Sequence, residues 1–181
     1  MIRLFVALII PENIKDNIIE TLKTGEQFSD HRWESKDKIH LTLKFIGDVK
    51  EEILPQIIED IEFVKNYSSF KCTVSEFGFF FRDRDPKILW CNLETNDTLQ
   101  SLIDELNLRM SNYGIEVEKR KFKAHLTLLR IKKKVSDQFV KQMKDLKINP
   151  IVFNTNNIAL IQSVLKPSGS EYKILKIYEL K

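Results

Sequence analysis

The residues best suited to chemistry are two of the three histidines in this 181-residue chain, because both begin the same tetrapeptide. His40 opens the sequence HLTL at residues 40–43, and His125 opens a second HLTL at residues 125–128. An imidazole has an ordinary pKa of about 6.5, so one ring can accept a proton near neutral pH while another donates one. Hydrolysis of a phosphodiester needs that pair, a base for water and an acid for the departing alkoxide.

The spacing within each tetrapeptide places its polar side chains together. Successive side chains of a β-strand point to opposite faces, so His40 shares a face with Thr42, and His125 with Thr127. Threonine hydroxyls can donate hydrogen bonds to nonbridging phosphate oxygens, which carry charge in the transition state. A single His-x-Thr sequence is uninformative, but two copies that use two of three histidines predict a shared catalytic cleft.

The segments that must position these strands alternate between strand and helix patterns. Strand patterns occupy residues 3–10, 38–47, 68–81, 87–95, 122–131, 151–165 and 171–180. Helix patterns occupy residues 11–25, a segment from about residue 54 to 64, 97–113 and 136–146. Gly47 is expected to end the first motif strand, Asp48 to cap the helical segment after it, and Ser136 to cap the last helix.

The order of the elements is similar around the two motifs, which indicates an internal duplication. Strands that alternate with helices, together with hairpin signals at residues 82–86 and 166–170, favour an α+β architecture over an all-β fold or a helical bundle. We therefore expect residues 1–181 to form one domain with two pseudo-equivalent lobes. Each lobe would hold a small sheet backed by helices, with a cleft between the lobes.

Charge is concentrated around the second motif. Residues 119–134 contain eight cations and no acid, although the net charge of the whole chain is only +3. Such a run is often a solvated surface, but its position beside a motif favours a positive field that attracts a polyanion such as RNA. We expect a cytoplasmic protein, with no membrane-spanning segment and with Cys72 and Cys91 as small buried side chains without a disulfide.

The two motifs resemble the signature of the 2H phosphoesterase superfamily, and the chain is similar from end to end to its RNA 2′,3′-cyclic phosphodiesterase branch, also called 2′-5′ RNA ligases. The similarity includes RLFVALIIPE, HLTLKFIGDV, FRDRDPKILW, FKAHLTLLR and SVLKPSGSEYKIL. The resemblance implies a bilobal fold and opening of a terminal 2′,3′-cyclic phosphate to a 2′-phosphate without metal or other cofactor. It also implies reversible, ATP-independent joining of RNA through a 2′-5′ bond.

The resemblance also assigns roles to individual residues. It makes His40 and His125 the catalytic pair, and it makes Thr42 and Thr127 ligands of the phosphate. The sequence leaves open which histidine is the base, and we expect His125. Phe45 matches a base-stacking aromatic residue and Arg130 a phosphate-binding arginine. Strict alternation puts those two opposite their histidines, so a twist, bulge or strand end is needed to bring them to the cleft; otherwise Phe45 is a core residue and Arg130 a solvated cation.

Other interpretations stay open at this point. Small cyclic nucleotides or ADP-ribose cyclic phosphate are alternative substrates, and a noncatalytic protein that binds RNA ends is an alternative function. The family often has proline where Ala124 precedes the second histidine. His31 is expected at the surface or in a turn, and Trp33 and Trp90 in packing roles. No phosphate-binding glycine loop or metal-ligand spacing is present, and we expect a monomer.

Overall fold

Two four-stranded antiparallel sheets and the helices packed on them make up the computed structural model, which describes residues 1–25, 28, 31–167 and 169–181. The strands are β1 (Ile2–Ile9), β2 (His40–Val49), β3 (Phe70–Arg82), β4 (Asp85–Glu94), β5 (His125–Arg130), β6 (Ile151–Thr155), β7 (Asn157–Lys166) and β8 (Gly169–Glu179). The α-helices are α1 (Glu12–Lys23), α2 (Leu54–Asp60), α3 (Asp97–Ser111) and α4 (Asp137–Asp145).

Each sheet belongs to one lobe and carries one motif strand at its edge. The first has the order β2-β1-β7-β8 and the second β5-β4-β3-β6, with antiparallel pairing throughout. The first sheet combines strands from both ends of the chain, whereas the second is built from the middle. The expected α+β, bilobal architecture is confirmed.

The helices form where apolar residues recur at helical spacing. In α1, Pro11 is the N-cap residue, and Ile14, Ile18 and Leu22 form the buried face. The helix ends at Lys23 with Thr24 as its C-cap, just before Gly25. In α4, the expected cap is present, because the hydroxyl oxygen of Ser136 accepts a hydrogen bond from the backbone N–H of Phe139 at 3.1 Å.

The first motif strand differs from the sequence expectation at its end. β2 continues through Gly47 to Val49, and Asp48 is not a helix cap. Its carboxylate is 2.6 Å from the guanidinium of Arg3, opposite it on β1. Gly47 has a φ of +84°, a conformation that glycine adopts without strain, at an irregularity in the β1–β2 pairing. The glycine therefore bends the strand instead of ending it.

The closing strands also differ from the sequence expectation. The single strand expected at residues 151–165 is two strands, since β6 pairs with β3 in the second sheet and β7 pairs with β1 in the first. The chain passes between the lobes at Asn156. Ser168 in the expected turn at residues 166–170 lies outside the described residues. In the central hairpin, Asp83 and Arg84 both have positive φ and form a two-residue turn.

A single large cluster of buried apolar side chains runs through both lobes, from Ile2 to Leu180. A second, smaller cluster lies on the other face of the first sheet; it contains Phe5, Ala7, Ala159 and Ile161, with Ile9 and Tyr172 packed against it. None of the helices among the described residues is long and apolar enough to cross a membrane.

Candidate active site

The two motif strands meet at the centre of the molecule. β2 and β5 are edge strands of different sheets, and they lie in contact with each other. His40, Thr42, His125 and Thr127 all line one small cavity between them. The structure thus brings together the four side chains that the sequence placed on matching faces.

Both histidine rings are oriented by the backbone two residues earlier. Nδ1 of His125 lies 2.7 Å from the carbonyl oxygen of Lys123, which can only accept, so Nδ1 carries the proton of that bond. The ring of His40 makes the corresponding backbone hydrogen bond with Lys38. Nε2 of His125 is consequently left for proton transfer to or from a bound ligand, and in His40 the ring nitrogen that does not bond to Lys38 has the same role.

Aromatic neighbours bury both imidazoles. The ring of His40 stacks on Phe5, with centroids 5.1 Å apart, and meets the ring of Tyr172 at 5.5 Å. The ring of His125 meets Phe80 edge to face at 4.7 Å. These contacts restrict each imidazole to one orientation and remove part of its hydration.

This burial determines the proton affinity of the two rings. Burial, reinforced by the charges of Lys15 and Arg130, lowers the pKa of His40 to about 4. Burial also lowers the pKa of His125, and the charges of Lys123 and Arg130 act in the same direction. Both rings are therefore neutral in the free protein at neutral pH, and a bound anion would raise both pKa values.

A bulge in each motif strand turns a further side chain to the face that carries the histidine; Arg130 lines the cavity, whereas Phe45 does not. In the pairing of β2 with β1, Thr42 and Lys44 oppose consecutive residues, so Leu43 is the extra residue. In the pairing of β5 with β4, Leu128 is extra in the same way. Strict alternation is therefore wrong for the last part of both strands, because each bulge reverses the side chains after it.

Phe45 and Arg130 occupy equivalent positions after these bulges. The side chain of Phe45 is 68% exposed, and its ring lies 6.0 Å from Phe5, which stacks on His40. The alternative of simple core packing for Phe45 is therefore wrong. The guanidinium of Arg130 lines the cavity and forms an ion pair with Glu34 at 3.2 Å. Arg130 is accordingly a fixed cation at the cavity.

Three cavity residues were not predicted from the sequence: Glu34, Lys38 and Tyr172. The sequence could have indicated Lys38, because both copies of the repeat begin with a lysine two residues before the histidine, as Lys-x-His-Leu-Thr-Leu. Glu34 is held by its backbone N–H, which donates to the carbonyl of Leu128 at 2.8 Å. Tyr172 comes from β8, two strands away from β1, and no local pattern indicates that position.

The remaining candidates lie outside the small cavity. The ring of His31 contacts Phe139 at 4.1 Å, away from the small cavity. The indole N–H of Trp33 donates to the carbonyl of Phe28 at 2.7 Å, and Trp90 is buried against Gly78. Cys72 and Cys91 are buried, and neither forms a disulfide. The part of the chain that the structure describes contains no group of three or more potential metal ligands.

Comparison with known proteins agrees with this arrangement. The LigT like Phosphoesterase family model matches the chain twice, at residues 8–90 and 91–172, so each match contains one motif. The RNA 2′,3′-cyclic phosphodiesterase of Thermotoga maritima is 33% identical over 175 residues, which cover 96% of this chain and 92% of the relative. That of Methanocaldococcus jannaschii is 31% identical over 182 residues, covering 96% and 98%.

Solved structures show the same fold. A crystal structure of a Thermus thermophilus protein superposes with a TM-score of 0.81 at 23% identity, covering 98% of this chain and 97% of that one. Escherichia coli LigT complexed with 3′-AMP superposes with a TM-score of 0.79 at 23% identity, covering 99% and 98%. The duplicated motif, the two sheets and the paired family matches lead to one conclusion: the chain belongs to the LigT like Phosphoesterase family, as the resemblance to 2H phosphoesterases implied.

Proposed function

We propose that this protein is an RNA 2′,3′-cyclic phosphodiesterase that opens a terminal 2′,3′-cyclic phosphate to a 2′-phosphate, with His40 and His125 as its acid and base. Relatives that are 33% and 31% identical over 96% of the chain carry that name. The observation that carries the mechanism is the presence of two imidazoles and two threonine hydroxyls around one cavity.

The proposed reaction is a single displacement at phosphorus. One imidazole removes a proton from water as the water oxygen bonds to phosphorus, and the bond from phosphorus to the 3′ oxygen breaks. The other imidazole donates its proton to that departing oxygen. Thr42 and Thr127 donate hydrogen bonds to the nonbridging oxygens, and the charge of Arg130 stabilises the negative charge that they carry.

The surroundings of both rings bear on which imidazole is the base. Burial lowers the pKa of both His40 and His125, so both rings keep a lone pair at neutral pH and either can serve as the base. A substrate with sulfur in place of the 3′ bridging oxygen distinguishes the two roles, because a thiolate leaves without a proton. With His125 as the base, as expected from the sequence, that substrate should restore turnover to His40→Ala but not to His125→Ala.

The activity itself is tested with an RNA oligonucleotide that ends in a 2′,3′-cyclic phosphate, incubated in the presence of a chelator. The expected product has a 2′-phosphate and a free 3′-hydroxyl. Removal of one acid or base should lower kcat by roughly a hundredfold to ten-thousandfold, so His40→Ala and His125→Ala should both be severely impaired. A 3′-phosphate product, or unimpaired turnover by either variant, would contradict the proposal.

The same proposal includes joining of RNA through a 2′-5′ bond. If the 5′-hydroxyl of a second RNA takes the place of water, the same base deprotonates it, the same 3′ oxygen departs, and a 2′-5′ linkage forms without ATP. A 5′-hydroxyl oligonucleotide added at high concentration should therefore yield a 2′-5′-linked product.

We further propose that the protein acts as a monomer in the cytoplasm. Sedimentation at micromolar concentration tests whether it is a monomer.

A further inference from the structure

A wide groove continues from the small cavity toward the second lobe. Its volume is about 660 Å³, and Glu34, Lys38, Arg130 and Tyr172 line both the groove and the cavity. We call it the basic groove; its other lining residues are His31, Arg32, Trp33, Ser35, Leu129, Ile131, Lys132, Lys133, Lys134, Val135, Gly169 and Ser170. Any ligand held in the cavity thus has direct access to this groove.

The charge of the basic groove is almost entirely positive. Glu34 is the acid among its lining residues, and Arg130 already pairs with its carboxylate at 3.2 Å. Lys132, Lys133 and Lys134 are exposed, and they form no ion pair with any acid among the described residues. These three lysines lie just beyond Arg130 in the chain, so the positive charge extends outward from the cavity.

The structure divides the basic run of residues 119–134 into two parts. Lys132, Lys133 and Lys134 line the groove, whereas Lys119, Arg120 and Lys121 do not. The guanidinium of Arg120 pairs with Glu118 at 3.1 Å. Of the eight cations in this run, Arg130 and the three lysines line the groove and the other four do not, so Lys119, Arg120 and Lys121 give a control of equal charge for the three lysines.

Aromatic rings accompany the cations. Trp33 and Tyr172 line the groove, and the ring of Tyr172 also contacts His40 inside the cavity. A positively charged channel with flat rings along it is the usual arrangement for binding single-stranded nucleic acid, because lysines hold the phosphates and rings stack on bases of any sequence. A groove built only for a mononucleotide would not need cations that lead away from the cavity.

We propose that the basic groove binds the nucleotides on the 5′ side of the cyclic phosphate, with Lys132, Lys133 and Lys134 holding their phosphates. The proposal rests on the function proposed above. A 2′,3′-cyclic phosphate occurs at a 3′ end, so when it occupies the cavity the rest of the RNA extends only in the 5′ direction. The groove that shares four residues with the cavity is the path that this strand takes.

The test compares Lys132→Ala/Lys133→Ala/Lys134→Ala with the control Lys119→Ala/Arg120→Ala/Lys121→Ala, which loses the same charge. Both are assayed on an oligonucleotide cyclic phosphate and on 2′,3′-cyclic AMP. For the groove variant, kcat/KM on the oligonucleotide should fall by about tenfold to a hundredfold, whereas 2′,3′-cyclic AMP should be turned over as by the unmodified protein. The control variant should keep most of its activity on both substrates, and unchanged mononucleotide turnover also shows that the variants fold.

Binding gives a second measurement that does not depend on catalysis. The probe is a fluorescent oligonucleotide that ends in a 2′-phosphate, titrated at several salt concentrations. For a single strand, each phosphate contact makes the plot of log binding constant against log salt concentration steeper by about 0.7. The groove variant lacks three such contacts, so its plot should be shallower by about 2. Equal losses in both variants, or no loss in the groove variant, would overturn the proposal. If the unmodified protein hydrolysed neither substrate, the proposed function would fail while the binding comparison still decided the role of the groove.

Discussion

Burial changes the acid–base behaviour of both histidines in the cavity. The pKa of His40, about 4, and the lowered pKa of His125 both lie below the ordinary 6.5. In the free enzyme, kcat/KM requires one neutral and one protonated imidazole, so it is greatest between the two pKa values. We expect kcat/KM for 2′,3′-cyclic AMP to be greatest below pH 6.5 and to fall as the pH rises, because the acid loses its proton. A maximum above neutral pH would contradict this expectation.

Lys15 offers a way to shift that profile. Its side chain is buried, its ammonium lies 2.7 Å from Glu12, and its charge lowers the pKa of His40. Replacement by methionine should therefore raise the lower pKa of the kcat/KM profile, because the repulsion of protonated His40 is removed. Lys36→Met is the matched control, since Lys36 pairs with the same Glu12 but does not act on His40. A profile that shifts equally in both variants would reject this cause.

The pKa of His40 should also influence stability. Because protonation is disfavoured in the folded state, the unfolded chain binds more protons between pH 4 and 6.5, and stability falls as the pH is lowered through that range. For a folded pKa of about 4, the free energy of unfolding should be up to about 2 kcal/mol greater at pH 7 than at pH 5 from this group alone. Urea titrations at both values should show a smaller difference for His40→Gln. An identical pH dependence in the variant would exclude His40 as its source.

Among the elements, the motif strands show what sequence patterns can and cannot predict. Side chains alternate along a strand, so the sequence alone predicts that each imidazole shares a face with a hydroxyl. Serine is a preferred N-cap residue, so the sequence also predicts the cap at Ser136. The bulges at Leu43 and Leu128 depend on how β2 pairs with β1 and how β5 pairs with β4. The residues of a motif strand alone do not determine that pairing. Strict alternation therefore fails where neighbouring strands decide the direction of a side chain, and the bulge that Phe45 and Arg130 were expected to need is present in both strands.

Gly47 tests how far the irregular path of β2 depends on glycine. A Cβ added there would have no atom within 4 Å, but the φ of +84° is unfavourable for alanine. Gly47→Ala should therefore lower the free energy of unfolding by roughly 1–2 kcal/mol through the backbone alone. Gly47→Asn should cost less, because asparagine tolerates positive φ. Denaturant unfolding of both variants measures this, and equal losses would show that the backbone conformation is not the cause.

For the whole molecule, the route of the chain matters as much as the site. The first sheet requires β7 and β8 from the C-terminal end, and the second lobe is inserted between the parts of the first. The cavity accordingly contains Tyr172 from β8, near the C-terminal end of the chain, and His40 from β2, in the N-terminal part of the same lobe. Local sequence patterns predicted the lobes but not this exchange, because the strand pattern predicts one strand over residues 151–165, although the polar residues 154–157 stand where β6 ends and β7 begins.

The shared core predicts that the two lobes unfold together. Leu106 on α3 is fully buried in the cluster that also contains Val6 of β1, and α3 packs against β2 of the other lobe. Leu106→Ala should lower the free energy of unfolding by about 2–5 kcal/mol and should lower amide-exchange protection equally in β1 and β4. Leu108→Ala on the same helix is the control, because that side chain is 68% exposed and its loss should change stability by about 0.5 kcal/mol or less. If β1 kept its protection while β4 lost it, the lobes would be independent folding units, and residues 1–181 would not form the one cooperative domain that we propose.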